Sequence, residues 1–441
     1  MFVFADQWRA QATGFAGDPN VRTPHLDALA RRSVRFTAAV AGCPVCSPYR
    51  ASLMTGQYPL THGVFLNDVH LSHRATSLAD AFAAAGYDTA YIGKWHLNGR
   101  GRLHFVPRRD RQGFDFWRAC ECTHEYNASV YYTDSRRPRT WRGYDAEAQT
   151  RAAQGYIRGR ARRNRPFLLV LSWGPPHNPY RTAPARFRAM YNPARIQLRP
   201  NVPPGARARA RADLAGYYAH CTALDQYVGD LLATLHQAGL ADSTIFVFTS
   251  DHGDMLGSHG QHRKQRPWDE SILVPFLLHW PAGLGREPRD VRAPINAPDI
   301  MPTLLGLCGL APPVTVEGLD YSRHLLGAAP PPADAALIAC YAPFGEWLRT
   351  QGGREYRGVR TEHHTYVRTR RGPWLLYDNH ADPCQMENLA NRPQHAPVQR
   401  RLDRALADIL RAQGDGFGPS RDYIRRWGWA VDATGTAATA P

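Results

Sequence analysis

Short apolar runs alternate with amphipathic segments along this 441-residue chain. Residues 2–5 form the first apolar run. Thr23-Pro24 then places a capping residue before a proline at the first helical position, and predicts a helix through about residue 32. Residues 78–85 carry a helical pattern that follows Thr76-Ser77 and stops at Gly86. The runs 89–92 and 167–173 read as buried strands. One long amphipathic helix is predicted over 212–238, ending at Gly239. Two further runs, 244–249 and 272–279, read as strands. Strands apolar on both faces and separated by helices predict an α/β fold, built on a large, mostly parallel or mixed sheet with helices on both sides.

The pattern changes near residues 328–335, a Pro/Ala-rich stretch. Beyond it, residues 356–366 and 374–377 predict short antiparallel strands, and residues 397–411 a final helix. This divides the chain into a large α/β unit, 1–335, and a smaller C-terminal α+β subdomain, 336–441, with a short antiparallel sheet and a loose Ala/Thr-rich tail.

Charge changes the picture less than its size suggests. The formal net charge is +16, yet only Lys94 and Lys264 are lysines, so the other 52 of 54 basic residues are arginine. The arginines are scattered over several stretches, and no zinc-finger or aromatic RNA-binding signature accompanies them, so no nucleic-acid partner is expected. Attraction to an acidic partner is one reading of the excess; their scatter favours the other, a codon bias toward arginine on a solvated surface. Eight cysteines are too sparse for a disulfide scaffold. No apolar run reaches the roughly 18 residues that span a bilayer. The chain as written carries no signal peptide and reads as cytoplasmic and free of membrane. The short lead from Met1 to the first candidate site residue leaves room for an upstream segment.

Candidate chemistry collects where predicted strands end, the edge at which open parallel sheets bind ligands. Asp6-Gln7 follows the first strand, Gly93-Lys94-Trp95-His96 the strand ending at Ile92, His177 the strand ending at Trp173, and Asp251-His252 the strand ending at Thr249. Singly, each aspartate is better read as a helix cap. Together, acids, an amide, a lysine and histidines at four strand ends are not a packing pattern. In a chain with 52 arginines, a compact ammonium at only two positions also points to a site.

The segment 43–56 is the most informative. Cys43 and Cys46 form a C-x-x-C, but no second pair at suitable spacing supports zinc. Cys46-x-Pro48-x-Arg50 followed by Leu53-x-Thr55-Gly56 resembles the signature of the sulfatase family. The resemblance continues through Asp27-Ala28-Leu29-Ala30, through residues 86–96, and through Thr249 to Gly253 with Gly257, His259 and Lys264. It reaches Val359-Arg360-Thr361 and residues 382–389.

The resemblance implies an alkaline phosphatase-like fold and sulfate-ester hydrolysis. It implies that Cys46 is oxidised to formylglycine by a formylglycine-generating enzyme. One hydroxyl of the hydrated aldehyde then attacks sulfur, and the other lets the group collapse and expel sulfate, which a thiol cannot do. Asp6, Gln7, Asp251 and His252, with residue 46, would hold a divalent cation, Ca²⁺ first and Mn²⁺ or Mg²⁺ as alternatives. Arg50, Lys94 and His96 would orient the nucleophile and the sulfate. Lys264 would contact sulfate on the leaving-group side, and His177 would protonate the leaving group. Asn67 is a candidate substrate contact. The sequence departs from the family's commoner residues at Gln7, at His252 and at Tyr49.

The implied substrate is a sulfated small molecule or carbohydrate. Two other readings compete. One is hydrolysis of a phosphonate monoester or phosphodiester by the same nucleophile, suggested by Asp6-Gln7-Trp8-Arg9. The other is a non-catalytic anion-binding protein on the same scaffold.

Overall fold

A computed structural model describes residues 1–163 and 165–438. Its eight-stranded sheet is built from β1 (Phe2–Asp6), β2 (Val34–Phe36), β3 (Asp88–Lys94), β4 (Phe116–Cys120), β5 (Phe167–Pro176), β6 (Phe246–Ser250), β7 (Leu277–His279) and β8 (Arg289–Val291). The spatial order is β8-β2-β7-β6-β1-β5-β3-β4. β1 lies between β5 and β6 and is parallel to both, and β3 continues the parallel run to β4. β7 runs against both of its neighbours. The expected large, mostly parallel sheet is therefore present, with one reversed strand.

Alternation along the strands feeds two cores. Phe2 and Phe4 of β1 point into one, with Val170 and Val247; Val3 and Ala5 point into the other, with Leu169, Leu171 and Phe248. The first core is covered by α2 (Cys46–Thr55), α3 (Leu78–Ala84) and α6 (Ala297–Leu307). The second is covered by α1 (Pro24–Ala30), α4 (Asp145–Arg160) and α5 (Arg207–Gln237). Helices on both faces are what strands apolar on both sides require.

The run 272–279 is not one strand. Leu273–Val274 pairs with Ala39–Val40 in a small three-stranded sheet, and the chain re-enters the large sheet only at Leu277. Pro275 lies between the two pieces and has no N–H to give a ladder.

A four-stranded antiparallel sheet follows: β9 (Ala335–Cys340), β10 (Tyr356–Thr361), β11 (His364–Thr369) and β12 (Gly372–Asp378). The helix α7 (Ala396–Ala412) covers it with Leu402, Leu406 and Leu410. Beyond it, α8 (Ser420–Trp427) and residues up to 438 pack back on the large unit: Trp427, Trp429 and Val431 meet the first core, and Trp429 Nε1 donates to the Gly63 carbonyl. Of the Ala/Thr-rich end expected to be loose, residues 439–441 lie outside the described residues, while Val431 and Ala437 form a bridge.

Candidate active site

The strand order sets the site. β6, β1, β5 and β3 are consecutive in the sheet, and their carboxyl ends carry Asp251-His252, Asp6-Gln7, His177 and Lys94 side by side. α2 delivers the nucleophile candidate, because Cys46 is its first residue and Arg50 lies one turn further on. The cap residue Val45 gives no side-chain hydrogen bond, but Asn67 takes the Ser47 N–H and Pro48 has none, so Cys46 itself stands at the positive end of the helix.

Cys46 Sγ lies 3.2 Å from Lys264 Nζ, 3.3 Å from His252 Nε2 and 3.8 Å from Asp6 Oδ1. Lys94 Nζ meets Asp6 Oδ2 at 2.5 Å. Arg50 donates Nε and its NH2 nitrogen to Asp251 Oδ2, at 3.1 and 2.8 Å, and its other terminal nitrogen to the Lys94 carbonyl and Ser172 Oγ. Lys264 Nζ also reaches His177 Nε2 at 3.0 Å and Gln7 Oε1 at 3.4 Å. Nine of the eleven residues singled out in the sequence thus join one connected group by these contacts. The other two adjoin it through Ser47, next to Cys46: the His96 carbonyl accepts from Ser47 Oγ at 2.7 Å, and Asn67 Oδ1 accepts from the Ser47 N–H at 2.9 Å.

Electrostatics favour a bound anion. Burial raises the carboxyl of Asp6, but Lys94, His177, Lys264 and His252 together hold it well below the usual carboxylate range. Burial and Asp6 push the Cys46 thiol up; Lys264, Lys94 and His252 outweigh them and bring it well below the ordinary thiol value. Burial lowers His96, but the Cys122 thiolate and Asp68 raise it to about 10, against the opposing charge of Lys94. His177 is held well below its ordinary value by burial and by Lys264, so it is neutral at neutral pH.

The donor set fits a hard or borderline cation. One ligand atom each from Asp6, Cys46, Asp251 and His252 lies within 4.8 Å of the others. His252 Nδ1 sits 2.9 Å from the Gly253 carbonyl, which can only accept, so Nδ1 keeps a proton and Nε2 is the nitrogen turned toward the site, the one a metal would take. Gln7 donates Nε2 to Asp254 Oδ2 at 2.6 Å, which turns its Oε1 toward the site as an oxygen donor. Two carboxylates, an amide oxygen and an imidazole suit Ca²⁺ or Mn²⁺.

Asp254 was missed in the sequence, as were Asp68, which accepts from His96 Nε2 at 2.9 Å, and His124, whose ring stacks on His177 with centroids 4.5 Å apart. Asp254 stands three residues past Asp251 and Asp68 next to Asn67, and that adjacency was the available signal.

An anion-accepting, cation-compatible site at the carboxyl edge of a mixed sheet is the arrangement of hydrolases with the alkaline phosphatase-like fold. The sulfatase family model matches residues 1–310, and a model described as N-sulphoglucosamine sulphohydrolase, C-terminal, matches residues 257–412. The chain belongs to the sulfatase family, whose members hydrolyse sulfate esters. It is similar to an ulvan-active sulfatase from Formosa agariphila, 46% identical over 96% of this chain and 83% of the relative. An endo-4-O-sulfatase from Bacteroides thetaiotaomicron is 30% identical over 94% and 92%. The solved phosphonate monoester hydrolase of Agrobacterium radiobacter aligns with a TM-score of 0.76 at 26% identity, over 93% of this chain and 95% of that one.

Proposed function

We propose that this sulfatase removes sulfate from a sulfated carbohydrate, using formylglycine made from Cys46 and one divalent cation. The observation that carries the reading is the position of Cys46 Sγ, which lies between Lys264 at 3.2 Å and the candidate cation ligands His252 and Asp6 at 3.3 and 3.8 Å. Support for a carbohydrate comes from the relatives, two of which are named for ulvan and for endo-acting 4-O-desulfation.

Asp6, Gln7, Asp251 and His252 would hold the cation, Ca²⁺ in the first instance. When bound, the cation draws charge from a sulfate oxygen and favours the ionised nucleophile. Formylglycine, when hydrated, supplies one hydroxyl to attack sulfur and a second whose ionisation releases the sulfate. Lys94, Arg50 and the cationic His96 surround the same end of α2 and orient the anion.

Lys264 and His177 handle the leaving group together. His177 keeps its proton on Nδ1, facing the Asn178 carbonyl at 3.0 Å, and its Nε2 faces the Lys264 ammonium. At rest the proton is therefore on Lys264 Nζ. Burial opposes that charge, but Cys46, Glu346 and Asp6 outweigh it and hold Lys264 ionised, which suits it to contact the sulfate, while His177 Nε2 is the position from which a proton would pass to the leaving oxygen.

Peptide mass spectrometry across Cys46, on protein coexpressed with a formylglycine-generating enzyme, tests the nucleophile. The expected mass is that of the aldehyde, with turnover of an aryl sulfate exceeding that of an aryl phosphonate. Cys46→Ser is expected to fold and to lower kcat/KM at least about a thousandfold. A thiol that persists where a control sulfatase is converted would sink the proposal and leave an anion-binding protein. Faster phosphonate turnover would reassign the substrate class.

A further inference from the structure

A second group of ligating side chains lies away from Cys46. His70 and His73 come from the loop between α2 and α3, and Asp110 from the single turn Arg108–Asp110. One ligand atom from each lies within 4.8 Å of the other two. We propose that these three residues form a second divalent-metal site, for Zn²⁺ or a similar borderline ion, that ties the two loops together. The proposal is independent of the reaction at Cys46.

The chemistry of the set selects the ion. Two imidazoles and one carboxylate match the ligands that zinc takes, with a fourth position left for water. Ca²⁺ and Mg²⁺ prefer all-oxygen surroundings.

Burial supplies a separate argument. Asp110 is only 6% exposed, and its Oδ2 is buried with no hydrogen-bond partner. His70 Nδ1 is likewise buried and unpartnered. A buried carboxylate oxygen and a buried ring nitrogen that make no hydrogen bond are costly unless something binds them. His73 Nε2 lies 3.6 Å from Asp110 Oδ1, a spacing compatible with two ligands sharing one small ion, and its half-exposed ring opens a route from solvent.

Two arginines approach the same carboxylate. Arg100 is 3.6 Å from Oδ2 and Arg109 is 3.8 Å from Oδ1, both beyond hydrogen-bond length. Their side chains are 50% and 75% exposed, so both can swing into water when an ion enters.

The loop this ion would fix carries two residues of the active-site surround. Asn67 holds the Ser47 N–H, and Asp68, two residues before His70, accepts from His96 and Arg102. An ion at His70, His73 and Asp110 would anchor the far end of that loop.

The test is metal content and affinity with Ca²⁺ in excess to occupy the Asp6 site. Wild-type protein, incubated with Zn²⁺ and desalted, is expected to hold one zinc more per chain than His73→Ala, by inductively coupled plasma mass spectrometry. His73→Ala removes an exposed ring and leaves the fold intact; Asp110→Asn provides a second variant of near-equal shape. Competition with a chromophoric chelator should show zinc bound at least about tenfold more weakly in either variant. Zn²⁺ should also raise the Tm of wild type and not that of His73→Ala. Equal zinc content and equal affinity in wild type and His73→Ala would overturn the proposal.

Discussion

Asp68 shows how one carboxylate outside the immediate site sets the charge of a residue within it. It accepts from His96 Nε2 and from two nitrogens of Arg102, and those partners outweigh its burial and hold it far below the carboxylate range. In return it helps keep His96 cationic up to about pH 10. A histidine whose folded pKa is raised contributes stability that is complete below its unfolded value, near 6.5, and is lost as pH rises through about 10. In Asp68→Asn the alkaline limb of kcat/KM is expected to move down from near pH 10 by one unit or more, with little change at pH 6. The decline of urea stability between pH 6.5 and 10 should flatten in the same variant. An alkaline limb that stays in place would show that His96 owes its charge to other neighbours. At this scale the sequence revealed the residues whose chemistry is unusual for their position, such as two lysines among 54 basic residues. Both lie at Cys46 or at its neighbour Asp6. It did not reveal Asp68 or Asp254, because a single aspartate in a loop has many structural uses and only its partners distinguish them.

Elements were legible where pattern and terminator agreed. The long helix expected over 212–238 spans Arg207–Gln237, and the strand expected over 167–173 runs three residues further, to Pro176. The run 272–279 misled because uniform apolarity carries no sign of a change of sheet, although Pro275 marked the break. Gly93 illustrates a constraint that no pattern reveals. It sits inside β3 with φ of 106°, and a Cβ there would lie 1.9 Å from the Ser172 carbonyl oxygen of the adjacent strand. Gly93→Ala is expected to cost about 2–4 kcal/mol in urea denaturation. Gly86→Ala, at φ of 84° with nothing near the added methyl, should cost only about 1 kcal/mol. Equal losses would mean that backbone conformation alone, and not the contact with β5, makes Gly93 necessary.

Across the whole molecule, the C-terminal sheet and the loop that carries Lys264 are joined through the residues after Lys264. Gln265 brackets Phe344, donating to its carbonyl at 2.8 Å and accepting from its N–H at 3.1 Å. Arg266 donates to the Glu346 carbonyl, and Asp269 pairs with Arg360 of β10 at 3.1 Å. Composition alone suggested a division near residue 335, because a Pro/Ala-rich stretch looks like a linker. The two matched family models overlap over residues 257–310, a stretch that includes Lys264. Gln265→Ala leaves two buried backbone groups of Phe344 unpaired. It should lose about 2–4 kcal/mol of stability and lower kcat more than it raises KM. A variant that loses stability with unchanged kcat would separate the sheet from the chemistry.

Cys46 is 1% exposed, and all ten residues of its helix are buried. Another protein can read Pro48 and Arg50, or reach the sulfur, only before that helix is packed. The proposed oxidation is therefore a matter of timing: it belongs to the interval between synthesis and folding. A chain that folds first keeps its thiol, and unfolding would be needed to give it a second chance.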